Sequence, residues 1–127
     1  MHDGLANRTE GANMQVLLVQ PSYENSVLAF SEVQDISGCP GYVPNLALPT
    51  LAALAPDDVQ ITIVDETIEP IDYDQQWDLV GITGYFNQRK RMLEIADEFR
   101  ARKQLVAIGG PYASLSPSTV RQAVHWA

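Results

Sequence analysis

Four short aliphatic runs constrain this chain more than anything else in it: residues 15–20 (QVLLVQ), 60–64 (QITIV), 79–83 (LVGIT) and 105–108 (LVAI). Each is apolar or β-branched at consecutive positions, as expected of strands buried on both faces, and each is followed by Pro, Asp or Gly. Between the last two, residues 88–103 place Met92, Ile95, Ala96 and Phe99 at i, i+3, i+4 and i+7 against a charged face, which predicts an amphipathic helix. Between the first two, Pro49 suits a first helical position, and Leu51, Ala52, Leu54 and Ala55 supply a small apolar face before Pro56. Ser116 and Pro117 read as the cap and first position of a last helix reaching Trp126.

Strands alternating with helices imply βαβ units, hence a parallel sheet covered on both faces. The segment EPIDYDQQ between the second and third runs is too polar to assign. Residues 1–13 are polar and aperiodic and read as a mobile leader, leaving 14–127 as one domain. Such sheets commonly have five or six strands, so the expectation is a piece of a longer protein whose sheet stops before its last strand. An edge left open on the fourth strand would invite pairing with a second copy, a homodimer.

Charge and cysteine use exclude several functions. Eight basic against 16 acidic residues give a net charge of -8, a surface that repels phosphate backbones and anionic headgroups, so neither a nucleic acid nor a membrane is expected as partner. The single cysteine, Cys39, cannot form an internal disulfide, a CxxC zinc site or an iron-sulfur cluster, which fits a reducing cytosol. No apolar stretch approaches the ~18 residues of a membrane span, and residues 1–13 lack the apolar core of a signal peptide.

In open α/β sheets ligands bind beyond the carboxyl ends of the strands, so the strand-exit loops are where function is sought. The first, residues 21–48, is far longer than the usual 2–6 residues and carries Pro21, Ser22, Tyr23, Gly38, Pro40, Gly41, Tyr42 and Pro44. It either covers a ligand or partner, or is a plain surface excursion with one helical turn near residues 27–33. The second, GITGYFN, offers Gly84 for close backbone approach, and the Thr83 hydroxyl and backbone N–H groups for an anion. Arg89, Lys90 and Arg91 follow, in a region (89–103) holding six of the eight basic residues. Cations at a helix N-terminus oppose the macrodipole, so they mark either a nearby phosphate or a solvated face with pairs such as Glu98 and Arg102. The third, GGPYAS, opens with Gly109 and Gly110, which leave room for a flat or bulky ligand; as a bare glycine pair the signal is weak.

Other chemistries lack their parts. Neither GxGxxG after the first strand nor GxxxxGK[ST] is present, which disfavours dinucleotide and P-loop binding. A phospho-acceptor receiver needs acidic residues where this chain has Gln20-Pro21-Ser22 and Thr83. Asp65 and Glu66 either form an ordinary turn or hold a ribose hydroxyl or metal. His2 lies in the leader and His125 near the C-terminus, so no nucleophile-base pair or metal cage assembles, and no catalytic residue or metal ligand is expected within the chain.

The segments VLLVQPSYE, VPNLALPTLAALAP, ITIVDE, WDLVGITGY and LVAIGGPYASLSP, in this order, resemble the N-terminal cobalamin-binding domain that precedes the catalytic barrel of radical S-adenosylmethionine (radical SAM) enzymes. The resemblance covers nearly all of residues 14–124, and GITGY with IGGPYAS carries most of its specificity. It implies a flavodoxin-like (Rossmann-like) three-layer domain with a corrin ring on the strand carboxyl ends. Pro21, Ser22 and Tyr23 would then form the upper rim, Thr83, Gly84 and Tyr85 contact the nucleotide tail, and Gly109, Gly110 and Pro111 form its far wall. Arg89 and Lys90 are reserve candidates for the tail phosphate.

The DxHxxG motif of the better-known cobalamin proteins is replaced here by PSYENSV, so no histidine from this loop reaches cobalt. Radical SAM members often lack that histidine, and others keep the fold without cobalamin. The family's CxxxCxxC motif is absent, which would place any 4Fe-4S cluster and S-adenosylmethionine in a downstream domain, the implied partner. A methyltransferase is one activity the resemblance suggests for the parent. The alternative is a cofactor-free interaction module docking on that catalytic domain. A small nucleotide- or flavin-binding protein is the third and weakest reading.

Overall fold

The computed structural model describes residues 13–23, 36 and 46–123. The expected leader, the helical turn at 27–33, Cys39, both histidines and the end of the last helix at Trp126 lie outside the described residues. The elements run β1 (Met14–Gln20), α1 (Ala47–Leu54), β2 (Val59–Asp65), β3 (Leu79–Thr83), a 3-10 turn (Phe86–Gln88), α2 (Arg89–Ala101), β4 (Val106–Gly109), α3 (Pro111–Leu115) and α4 (Pro117–Ala123).

All four strands are parallel, in the order β2-β1-β3-β4, a flavodoxin-like α/β arrangement. The chain steps outward from β1 to β2 and then crosses back to β3, so strand order reverses beside β1, where such sheets form a crevice. Flanked on both sides, β1 buries Val16, Leu17, Leu18 and Val19. The matching expectation for residues 60–64 is corrected: among the described residues β2 pairs only with β1, Gln60 and Thr62 are exposed and Ile63 is 36% exposed. A run of aliphatics does not distinguish a central strand from an edge strand carrying one weakly covered face.

The two faces of the sheet are unequal. On one, Leu17, Val19, Val80, Ile82, Val106 and Ile108 meet Met92, Ile95, Ala96 and Phe99 of α2, Tyr112 and Ala113 of α3 and Val120 of α4. Burying a side chain of the Val, Ile, Met or Phe class contributes roughly 1.5–3 kcal/mol, so this face holds the main core. On the other, Val16, Leu18 and Leu48 form a small cluster with Val59, Ile61 and Leu79, and Leu48 is the one buried residue of α1.

Local boundaries follow from chemistry at the ends. α1 begins two residues before Pro49, which still falls in the first turn, where no N–H is needed. α2 ends in a left-handed residue, Lys103 (φ 59°), with Gln104 N–H donating to Phe99 O (3.1 Å) and Lys103 N–H to Arg100 O (2.9 Å), a Schellman cap. The polar segment between β2 and β3 is irregular; Ile71, Tyr73 and Trp77 anchor it to the core, with the Tyr73 ring tilted against that of Phe99, centroids 5.0 Å apart. Buried Gln104 accepts from Trp77 N–H at 3.0 Å and donates to Gln75 O at 3.3 Å.

Candidate functional site

Because α1 covers the β1 and β2 side of its face, the β3 and β4 side is left beside a cleft of about 670 Å³. Its floor is made of small residues in register: Gly81 pairs with Ala107 and Thr83 with Gly109, while Gly110 continues the rim. Leu18 and Leu79 close the sheet side, and Leu46, Leu48 and Leu51 form the opposite wall. Among the described residues no ionisable group lines it, and of the two threonine hydroxyls present there, that of Thr50 already donates to Leu46 O at 2.6 Å.

The two adjacent glycines serve different purposes. A Cβ on Gly109 would meet nothing within 4 Å, so that position leaves ligand space. Gly110 adopts φ 89°, ψ -172°, and a Cβ there would stand 2.5 Å from Thr83 Oγ1. This is a backbone conformation essentially reserved for glycine, and it turns the chain from β4 into Pro111, the first residue of α3.

Of the other expected site residues, Thr83 lines the cleft and Tyr85 is 55% exposed at the exit of β3. Pro21 and Gly84 are buried instead. A Cβ on Gly84 would come 2.8 Å from Gln88 Oε1 and 2.9 Å from Met92 Sδ, so its lack of a side chain makes room for packing from α2. The Tyr85 N–H expected to greet an anion donates to Gln88 Oε1 at 2.9 Å.

Ser22 is held from behind: its N–H (3.1 Å) and hydroxyl (2.9 Å) both donate to Glu66 Oε1. Arg91 grips the same carboxylate through Nε (2.7 Å) and Nη2 (2.6 Å). Burial pushes the Glu66 carboxyl up, but the Arg91 and Ser22 donors outweigh it and hold it below the usual carboxylate range. The same contact raises the Arg91 guanidinium. Asp65 forms the turn, accepting from the Thr67 N–H at 2.9 Å and its hydroxyl. Burial, with Tyr85 and Asp65 nearby, raises the Tyr23 phenol above its ordinary value, and its oxygen accepts from Gln20 Nε2 at 3.4 Å.

The basic cluster divides. Arg91 is committed to Glu66 and Glu94, and Arg89 lies 4.1 Å over the Phe86 ring and donates to Phe86 O. Lys90 is exposed. The pair Glu98 and Arg102 forms at 2.6 Å. Among the described residues no group of three or more His, Cys, Asp or Glu side chains is placed to hold a metal ion, and no helix is long and apolar enough to cross a membrane.

Gly81, Ala107 and Gln88 were missed by sequence reasoning. For the first two a signal existed, small residues at alternate positions of neighbouring strands (Gly81 and Thr83, Ala107 and Gly109), which bare one face of the sheet.

The fold and cleft thus define a parallel α/β domain with an apolar cleft that runs along the β3 and β4 face from Leu79 to the strand exits at Thr83, Gly109 and Gly110. Among curated proteins, the chain is 30% identical over 113 residues to an uncharacterized methyltransferase of Synechocystis sp., covering 87% of this chain and 21% of that protein. It is 42% identical over 74 residues to the bacteriochlorophyllide d C-8(2)-methyltransferase of Chlorobaculum tepidum, covering 58% of this chain and 16% of that one. The chain therefore spans about a fifth or less of the length of these relatives. No family profile matches it. No solved structure matches it.

Proposed function

We propose that this chain is the cobalamin-binding α/β domain of a methyltransferase, with the 4Fe-4S cluster and S-adenosylmethionine held by a separate catalytic domain. The observation that carries this reading is the 670 Å³ apolar cleft floored by Gly81, Ala107 and Gly109, which runs along the β3 and β4 face to the strand exits. Its volume lies in the ~300–1,000 Å³ range of small-molecule sites, and the space beside Gly109 is space a side chain would fill. Similarity to two methyltransferases supports the activity of the parent.

When bound, cobalamin supplies the cobalt chemistry of methyl transfer. The chain's own residues bind and orient: Gly81, Ala107 and Gly109 accept the nucleotide tail against Leu18, Leu48 and Leu51, and the Thr83 hydroxyl offers one hydrogen bond. Tyr23 and Tyr85 stand at the strand ends, while Pro21, Ser22 and Gly84 fix the loops behind them. Pro111, expected at the far wall, does not line the cleft; it starts α3, whose Tyr112 and Ala113 pack into the main core on the opposite face of the sheet.

The test is a titration of the 127-residue chain with hydroxocobalamin, followed by retention through gel filtration and by the visible spectrum. Gly109→Leu is the appropriate control, because its Cβ meets nothing and its backbone φ is not positive. Retention by the wild type and loss in a variant of unchanged melting temperature is expected; no retention by the wild type, or equal retention by both, refutes the reading.

A second reading, a cofactor-free docking module, is favoured by Leu46, Leu51 and Leu54, which are 72%, 54% and 77% exposed beside the cleft. It predicts that Gly109→Leu alters assembly with the catalytic domain and has no ligand phenotype.

A further inference from the structure

Gln88 ends the 3-10 turn ahead of α2, is 0% exposed, and uses both ends of its amide. Nε2 donates to Pro21 O at 2.7 Å, and Oε1 accepts from Tyr85 N–H at 2.9 Å. One side chain therefore spans the backbone leaving β1 and the backbone leaving β3. A buried amide bonded at both ends acts as a spacer, since an unpaired buried backbone group costs on the order of 1–3 kcal/mol. Gly84 provides the space in which the amide sits, and Gly84 O accepts from Tyr112 N–H at 3.2 Å, extending the connection to the helix after β4.

We propose that Gln88 is a positioning residue of the strand-end site, locking the exits of β1 and β3 at one separation and thereby setting the ligand affinity of the surface they carry. The ligand in this statement rests on the cobalamin reading above; the lock itself rests only on the hydrogen bonds. Gln88 does not line the cleft, so it acts through Pro21 and Tyr85. Nothing in its residue type announces this role, because a glutamine at a helix start is ordinary on a solvated surface.

The decisive variant is Gln88→Met in the 127-residue chain, which preserves length and approximate volume and removes both hydrogen bonds. Two readouts are taken: affinity for hydroxocobalamin, and amide hydrogen exchange resolved by residue. The expected result is about tenfold weaker binding, within the roughly 5- to 150-fold that 1–3 kcal/mol represents, with about tenfold faster exchange at the Tyr85 amide and unchanged protection inside β1 and β3. Should Gln88→Met fail to fold, Gln88→Asn takes its place, keeping an amide one methylene too short to span the gap.

Unchanged affinity and exchange in a folded variant overturn the proposal. So does loss of protection throughout the sheet, or failure of both variants to fold, since either makes Gln88 a general stability residue. A wild-type chain that retains no hydroxocobalamin overturns the cobalamin reading instead, and the exchange at Tyr85 then decides the lock by itself.

Discussion

Replacing Glu66 by Gln isolates the tie that holds the start of the first strand-exit loop. The Glu66 side chain is 11% exposed and receives four hydrogen bonds, two from Ser22 at 3.1 and 2.9 Å and two from Arg91 at 2.7 and 2.6 Å. Exposed ion pairs contribute ~0–1 kcal/mol, and breaking a fully buried pair costs ~3–5 kcal/mol. Arg91 is 32% exposed, so this pair lies between those limits, and glutamine keeps an oxygen that can still accept from Ser22. The expected loss is about 2 kcal/mol, or roughly 6–10 °C in melting temperature for a domain of this size. Urea denaturation of Glu66→Gln, Arg91→Met and the double variant gives the pair's coupling, expected at about 1 kcal/mol or more.

The same substitution has a pH signature. Glu66 is held below the ordinary carboxylate range in the folded chain, so its contribution is fully present above the unfolded value near ~4.3. It is lost as pH falls through the depressed folded value. The wild type should therefore lose stability in that acid window by more than Glu66→Gln does. A coupling below about 0.3 kcal/mol, or superimposable acid limbs, would refute the argument that this carboxylate works as an ionised clamp.

Two further substitutions probe backbone geometry. Gly110→Ala should cost at least about 2 kcal/mol, because alanine resists the positive φ and its Cβ collides with Thr83 Oγ1, whereas Gly109→Ala should stay within about 0.5 kcal/mol; thermal melts of both separate strain from space. Lys103→Gly should stabilise the chain by about 1 kcal/mol by relieving a left-handed lysine at the α2 cap, read as a higher urea midpoint at unchanged slope.

Strand positions were legible because consecutive aliphatics over four to six residues have few other uses, and α2 because Met92, Ile95, Ala96 and Phe99 mark one stripe, all 0% exposed. The exposure of β2 was not legible, since Ile61 and Ile63 look alike whether covered by one layer or two. α3 went unread because PYASL has too few residues to show periodicity. Gly109, Gly110 and Thr83, singled out from the glycine pair and the strand exit, line the cleft, but sequence alone could not say which glycine leaves space and which bends the chain. Glu66, Arg91 and Gln88 were beyond reach for a common reason: each acts on a residue at least 25 positions away or on two loops at once, and such juxtapositions exist only after the sheet has formed.

The unequal faces of the sheet bear on how the cleft behaves in time. Its floor belongs to β3 and β4, whose reverse side carries the main core, and opening those strands means dismantling most of the molecule. Its opposite wall belongs to α1, fastened among the described residues through Leu48 and a cluster of a few aliphatics. Detaching that helix exposes little apolar surface, so it opens at a free energy well below that of global unfolding. Amide exchange should therefore report the floor and wall of the cleft as different cooperative units, with α1 opening the more readily.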